Sequence, residues 1–285
     1  MNSKKKFNLR KFNLGMILSR AFLIALAVAS VYPLIFVIST SLRDQNDFYN
    51  NIWGLPEGLF LENYEKAIVD GHIAEYFLNS VIITGTALVF ILIISVLAAY
   101  GLSRLKVPGT ELIIVVLFMC QMLPQESMLI PLYVICSKLG ILNVDYLATI
   151  IPYVGWSLSG SIIMLKVFFD TLPGELLEAA RIDGCTEFQT MTKIVAPLMK
   201  PSILTALMFA FCGCWGELMW ARQSTLATEV GIPLTVGLLR FQGTYSTDWG
   251  QLTAAMVIVL VPLLIVFGFT QKYLVAGFTG GAVKG

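Results

Sequence analysis

Four stretches of this chain carry no Asp, Glu, Lys or Arg: residues 21–42, 76–103, 146–165 and 249–271. A helix crossing the hydrocarbon core of a bilayer needs about 20 such residues, so each stretch predicts one membrane span. Two more qualify with a single interruption each, 112–137 around Glu126 and 201–221 around Glu217. Runs such as Val89-Phe90-Ile91-Leu92-Ile93-Ile94 are apolar on every side and lack the alternation of a barrel strand. The chain therefore reads as an all-α integral membrane protein with six transmembrane helices. With 57% apolar and only 13% charged residues, it is too apolar for a soluble enzyme, a nucleic-acid-binding protein or a disordered chain. Six spans leave no room for a large soluble domain.

The remaining charges are sorted by side. With the N-terminus placed inside, the inner segments hold 14 of the 19 basic residues: Lys4, Lys5, Lys6, Arg10, Lys11, Arg20, Arg104, Lys106, Lys166, Arg181, Lys193, Lys200, Lys272 and Lys284. That bias puts both termini in the cytoplasm and makes this a multi-pass protein of the cell membrane. Residues 1–20 form a cytoplasmic segment, and 21–285 form one six-helix domain. The first apolar run is longer than the core of a signal peptide, so it reads as a span. Outside, residues 43–75 are acidic, with Gly54, Pro56 and Gly58 preventing a long helix and a short surface helix expected over 62–70. Residues 138–145 make a tight turn at Gly140. Residues 222–248 form an outer loop long enough to suggest a function. Cys120, Cys136, Cys185, Cys212 and Cys214 fall in spans or on the inner side and predict no disulfide. Cys212-Gly213-Cys214 reads as small packing residues, and no metal site is expected. His72 is expected to be solvated.

Residues 170–200 are too ordered for a linker. Pro173 suits a first helical position, and Glu175 complements the helix dipole. Leu176, Leu177, Ala180 and Ile182 form an apolar side, and Gly184 ends the helix. Thr186 and Gln189 have capping-box spacing for a second helix, in which Phe188, Met191, Ile194 and Val195 share a face. Pro197 and Pro201 lead into the fifth span. Periodicity alone fits either a hairpin on the headgroups or a docking element for a cytoplasmic partner.

The residues themselves decide between these. Glu178-Ala179-Ala180-Arg181-Ile182-Asp183-Gly184, followed by Ile194 and Ala196-Pro197-Leu198, resembles the EAA loop of ABC importer permeases. Several further segments look like the carbohydrate branch of that family, closest to the smaller permease of maltose-type systems. They are Asn79-Ser80, Ala98-Ala99-Tyr100-Gly101-Leu102-Ser103-Arg104, Pro131-Leu132-Tyr133, Trp215-Gly216-Glu217-Leu218 and the ending Gly280-Gly281-Ala282-Val283-Lys284-Gly285. Gly216 departs from relatives, which usually carry Asn there.

The resemblance implies a type I ABC importer permease fold and a role in binding-protein-dependent sugar uptake. The implied partners are a second homologous permease, two ATPase subunits, an extracytoplasmic solute-binding protein and the lipid bilayer, with no nucleic acid. It also implies that Glu178, Ala179, Ala180, Arg181, Asp183 and Gly184 couple to the ATPase. Gly281, Ala282, Val283, Lys284 and Gly285, in the tail 272–285, would contact it too. The loop tip Phe241, Gln242, Gly243, Thr244 and Tyr245 would reach the binding protein. The chain has no G-x-x-x-x-G-K-[ST] loop, so no cofactor is expected here; ATP and Mg belong to the partner ATPase, and the chain is no enzyme. Sugar recognition calls for aromatic faces and polar side chains, and the spans offer Trp156, Trp215, Trp220, Gln121, Gln125, Glu126 and Glu217. Acids at membrane depth are costly, so Glu126 and Glu217 should face protein or water. Rival readings are a permease for a non-sugar solute and an ion-coupled secondary transporter, which would leave the 170–200 element unexplained. A membrane enzyme would need a convergent catalytic set, and none is present in the sequence.

Overall fold

The structure, a computed structural model, describes residues 14–226, 230–243 and 247–282. It is helical, and the one β-type pairing among the described residues is the isolated bridge between Gln242 and Thr247. The four uncharged stretches become its four long helices: α1 (Leu14–Ser41), α4 (Ile73–Arg104), α7 (Leu147–Asp170) and α14 (Trp249–Ala282). The shortest, α7, has 24 residues and at 1.5 Å per residue reaches roughly 36 Å, enough to cross a core of about 30 Å.

α4 and α7 form the central pair. On α4 the buried positions Ser80, Thr84, Ala87, Ile91, Ser95 and Ala99 recur every three or four residues, which makes one stripe down the helix. Most of them are small. Lipid tails are as apolar as Leu, so close backbone approach and van der Waals packing, rather than transfer from water, hold such helices together. Around this pair α11 (Lys200–Gly216) packs on α4, α7 and α14, α5 (Thr110–Met122) on α7, and α1 on α14.

Both spans expected to contain an acid are broken. The third is two helices, α5 and α6 (Gln125–Lys138), meeting at 102°. Pro124 supplies no N–H and forces Leu123 into an extended conformation at ψ 124°. With 13 and 14 residues, each half covers about 20 Å and neither crosses alone. The fifth span stops at Gly216, and α12 (Met219–Thr225) follows after extended Glu217. The two acids thus mark helix starts, where a carboxylate meets unpaired backbone N–H groups.

The end of the molecule holding residues 43–75 is acidic and carries α2 (Gln45–Asn50) and α3 (Glu62–Val69). The second is the surface helix expected over 62–70; the first was hidden by its six-residue length. Loop 230–243, with its short helix α13 (Leu234–Gly237), is pinned onto the top of α4. Asn79 Nδ2 donates to the Ile232 carbonyl at 3.0 Å, and the Leu234 N–H donates to Ser80 Oγ at 2.7 Å. Tyr146 Oη donates to Asn79 Oδ1 at 2.9 Å, bringing the start of α7 into the same knot. Gly237 lies flat on a ring: a Cβ there would stand 2.2 Å from Tyr76 Cδ2. Gly237→Ala is therefore expected to cost about 1–3 kcal/mol by overpacking and to lower the temperature at which the detergent-solubilised protein aggregates. An unchanged temperature would mean that the loop moves aside freely.

Candidate functional site: the coupling element and the membrane cleft

At the basic end, residues 170–200 form α8 (Gly174–Ile182), α9 (Glu187–Gln189) and α10 (Ala196–Leu198). A π-helical turn, Thr190–Val195, joins the last two. Pro173 stands just before the first helix, at its cap, rather than inside it. Gly184 takes the left-handed conformation, φ +77°, that ends α8. The capping box is complete: the Gln189 N–H donates to Thr186 Oγ1, and the Thr186 N–H donates to Gln189 Oε1. The apolar faces are narrower than the period suggests. Leu177, Met191 and Val195 pack with Val96, Ala99, Tyr100, Leu165 and Phe169 at the ends of α4 and α7, and Ala180 is buried as well. Leu176, Ile182 and Phe188 stay exposed, Ile182 at 85%. The wider π turn rotates residues 191–195 away from Phe188, so these four positions do not share one face.

The element is tied to the spans through polar groups as well. Tyr100 Oη donates to Glu187 Oε2 at 2.8 Å, while Arg181 Nη2 and Nε donate to Glu187 Oε1 at 3.0 and 3.1 Å. The Tyr100 hydroxyl first, and Arg181 second, hold the Glu187 carboxyl below its ordinary range. Its contribution is thus whole at neutral pH and is lost as the pH falls below that range. Arg104 donates to the Phe169 and Leu172 carbonyls, and Ser103 Oγ donates to Asp170. Of the predicted coupling residues, Ala180 is buried under the spans, whereas Glu178, Ala179, Arg181, Asp183 and Gly184 face outward. They present a charged and apolar surface bonded to α4 through Arg181, Glu187 and Tyr100.

The candidate substrate residues divide. Gln121 and Trp156, with Gln125, stand between two clefts of about 380 and 310 Å³ on the face where α5, α6, α7 and α11 meet. Ser159 Oγ donates to Gln121 Oε1 at 3.3 Å. The Trp156 indole, partly exposed, stands edge-on to Trp220 with centroids 6.0 Å apart. Trp220 is fully buried and its indole N–H donates to the Ala148 carbonyl at 2.9 Å. Trp215 is buried elsewhere, donating to the Val259 carbonyl at 3.1 Å between Phe77 and Phe211. Glu217 accepts from the Trp220 N–H at 2.7 Å, the Ala221 N–H at 2.9 Å and the Tyr153 hydroxyl at 2.9 Å. Its carboxylate caps α12 and locks it to α7. Glu126 is exposed in the first turn of α6.

In the loop before α14, Phe241 packs beside Gly71, and Gln242 and Gly243 are exposed; Thr244 and Tyr245 lie outside the described residues. The backbone is helical through Gly281 and Ala282, so the glycine pair does not break α14. Val283, Lys284 and Gly285 lie outside the described residues, as do Lys4 to Lys11. Sequence reasoning missed Tyr153 and Glu187. Their signal was positional only, since each side chain finds its partner across a tertiary contact.

Residues 91–280 match the family described as binding-protein-dependent transport system inner membrane component. The chain is 35% identical over 268 residues to the trehalose/maltose transport system permease protein MalG of Thermococcus litoralis, covering 92% of this chain and 94% of that one. It is 35% identical to the probable ABC transporter permease protein YurM of Bacillus subtilis, covering 97% and 91%. It is 33% identical to the sulfoquinovosyl glycerol permease SmoH of Agrobacterium fabrum, covering 91% of each chain. Its fold matches a solved bacterial ABC transporter involved in import of the acidic polysaccharide alginate, with a TM-score of 0.79 over 91% of this chain and 96% of that one, at 24% identity. The chain belongs to the inner-membrane components of binding-protein-dependent transport systems: it is a multi-pass ABC transporter permease and not an enzyme.

Proposed function

We propose that this chain forms half of the translocation pathway of an ATP-driven importer for a sugar or oligosaccharide. Its partners are a second homologous permease, two ATPase subunits that bind ATP and Mg, and an extracytoplasmic binding protein that delivers the sugar. Both termini lie in the cytoplasm, and the residue 170–200 element docks on an ATPase. The observation that carries this reading is the exposed charged and apolar face of α8, tied through Arg181 and Glu187 to Tyr100 of α4 and packed through Leu177 on the ends of α4 and α7. A push on that face has a rigid path into the central helix pair. Sugar as the substrate class rests on the named substrates of the relatives. The Trp156 face between Gln121 and Gln125 suits it, offering an apolar plane beside amides that bond hydroxyls. Loop tip 241–245 faces the binding protein, and 281–285 contacts the ATPases.

The test is uptake of radiolabelled trehalose, maltose and diacetylchitobiose by reconstituted complex in vesicles loaded with ATP. At least one sugar should accumulate, ATP depletion should stop it, and collapsing ion gradients should not. Trp156→Ala should reduce that uptake about 10-fold or more, as for loss of one stacking contact of about 1.5 kcal/mol. Uptake that survives ATP depletion but collapses with the ion gradient would replace this reading with a secondary transporter.

A further inference from the structure

Asn79-Ser80 and residues 98–104 stand near the two ends of one helix, α4, and each end holds a different segment of the chain. At the first end α4 holds the loop before α14. The Asn79 side chain, 5% exposed, uses both ends of its amide there. Its Nδ2 donates to the Ile232 carbonyl at 3.0 Å, and its Oδ1 accepts from Tyr146 Oη at 2.9 Å. Ser80 Oγ accepts from the Leu234 N–H at 2.7 Å, and the Arg240 guanidinium lies 5.2 Å from the centre of the Tyr76 ring. Ile73 and Tyr76 pack with Ile232 and Leu234. At the other end, Ala99 and Tyr100 pack with Leu177, Met191 and Val195, and Tyr100 Oη donates to Glu187 at 2.8 Å. Among the described residues, α4 is the one long helix whose side chains hydrogen-bond both the loop 230–243 and residues 174–198.

Between these two ends α4 is a stiff rod. Asn79 and Tyr100 stand 21 positions apart, about 32 Å along an α-helix. The other three long helices contain Pro33, Pro152 and Pro262, whereas α4 contains no proline, so no missing N–H kinks it. The loop has a second polar tie, from Thr235 Oγ1 to the Glu217 carbonyl at the end of α11. That route is bent, because α11 meets residues 187–198 at 81°. Energetic coupling between distant sites needs a rigid element that both sites hold. α4 meets that condition and α11 does not.

We propose that Asn79 is a positioning residue. It fixes the loop 230–243 to α4, so that a displacement of the loop moves α4 as a body and arrives, at Tyr100, on the residue 170–200 element. This rests on the reading that the loop meets the binding protein and that residues 170–200 dock on an ATPase. The Asn79 amide then sets how far a docked binding protein raises ATP hydrolysis, rather than how tightly it docks.

The test uses the complete complex in vesicles, with a solute-binding protein that supports uptake and is loaded with the transported sugar. ATP hydrolysis is measured against binding-protein concentration. Asn79→Leu, which removes both amide bonds, should lower the maximal stimulation about tenfold, the factor carried by one buried polar bond, with basal hydrolysis and the half-saturating concentration unchanged. Tyr146→Phe breaks the bond to the start of α7 and spares the bond to the loop, so it should keep most of the stimulation. Ser80→Ala, a smaller change, should show the same split as Asn79→Leu if the latter fails to assemble. Amide hydrogen exchange reads the transmission itself: the loaded binding protein should alter exchange in residues 187–195 of the native chain and not of Asn79→Leu. Full stimulation at a raised half-saturating concentration would make Asn79 part of the docking surface only. Basal and stimulated rates falling together, or Tyr146→Phe losing as much as Asn79→Leu, would make it a structural knot. A response in 187–195 that survives in Asn79→Leu would route the signal elsewhere. Each of these three results overturns the proposal. A native complex that the binding protein does not stimulate at all would instead overturn the importer reading beneath it.

Discussion

Gly184→Val is expected to uncouple transport from ATP hydrolysis while leaving the chain folded in the membrane. The residue holds φ +77°, a conformation that costs an L residue roughly 1–2 kcal/mol and a β-branched one more. No atom stands within 4 Å of the Cβ position, so crowding plays no part and the penalty is purely one of backbone conformation. Relief requires the chain to rotate between α8 and Thr186. That breaks the Gly184 N–H bond to the Arg181 carbonyl and the Cys185 N–H bond to the Ala180 carbonyl. The Arg181–Glu187 pair sits across the same turn, so the exposed face of α8 would lose its fixed angle to α4. Glu178→Arg tests the surface itself, because Glu178 is exposed and its loss should cost the fold little. Both variants should co-purify less ATPase or hydrolyse ATP without uptake, and Gly184→Ala should fall between Val and the native chain. Wild-type association and transport in both would refute the docking assignment.

Much of this architecture was legible because membrane spans are written in a coarse alphabet. Twenty uncharged residues need no tertiary information to be recognised, and the four long helices lie where such runs lie. Local chemistry was readable too: Thr186 and Gln189 form their capping box, and Gly184 takes the conformation that its place at a helix end requires. Shape inside a span was not readable. Pro124 sits in the middle of an apolar run where a kink, a break or a mild bend would satisfy hydropathy equally well. The 102° turn follows from tertiary packing, α5 lying on α7 and α6 on α12. Helical periodicity also overstated the inner face of residues 188–195, since the π turn changes the angle per residue there. Substrate candidates were chosen by residue type, and type does not tell a lining Trp from a core one. Trp156 reaches a cleft, whereas Trp215 and Trp220 spend their indole N–H groups on backbone carbonyls.

Glu217 shows the same division between type and role, and it carries the second large effect. Glu217→Ala removes the acceptor for two backbone N–H groups and one hydroxyl, and both N–H groups belong to the buried residues Trp220 and Ala221. An unsatisfied buried donor costs about 1–3 kcal/mol, and the lost negative charge at the start of α12 adds roughly 0.3–1 kcal/mol. The sum should weaken the whole junction. Trp220 packs against Trp156 beside the cleft, and the Glu217 carbonyl accepts from Thr235 Oγ1 of α13 at 2.7 Å. Glu217→Gln keeps one carbonyl acceptor, and the Tyr153 hydroxyl can turn to accept from the new amide. The expected order of resistance to heating in detergent is therefore native, then Gln, then Ala with a drop of several degrees, and uptake should follow that order. A carboxylate that met sugar instead of capping a helix would behave differently. Both variants would then keep native thermal stability and lose uptake alike, and that result would return Glu217 to the substrate path.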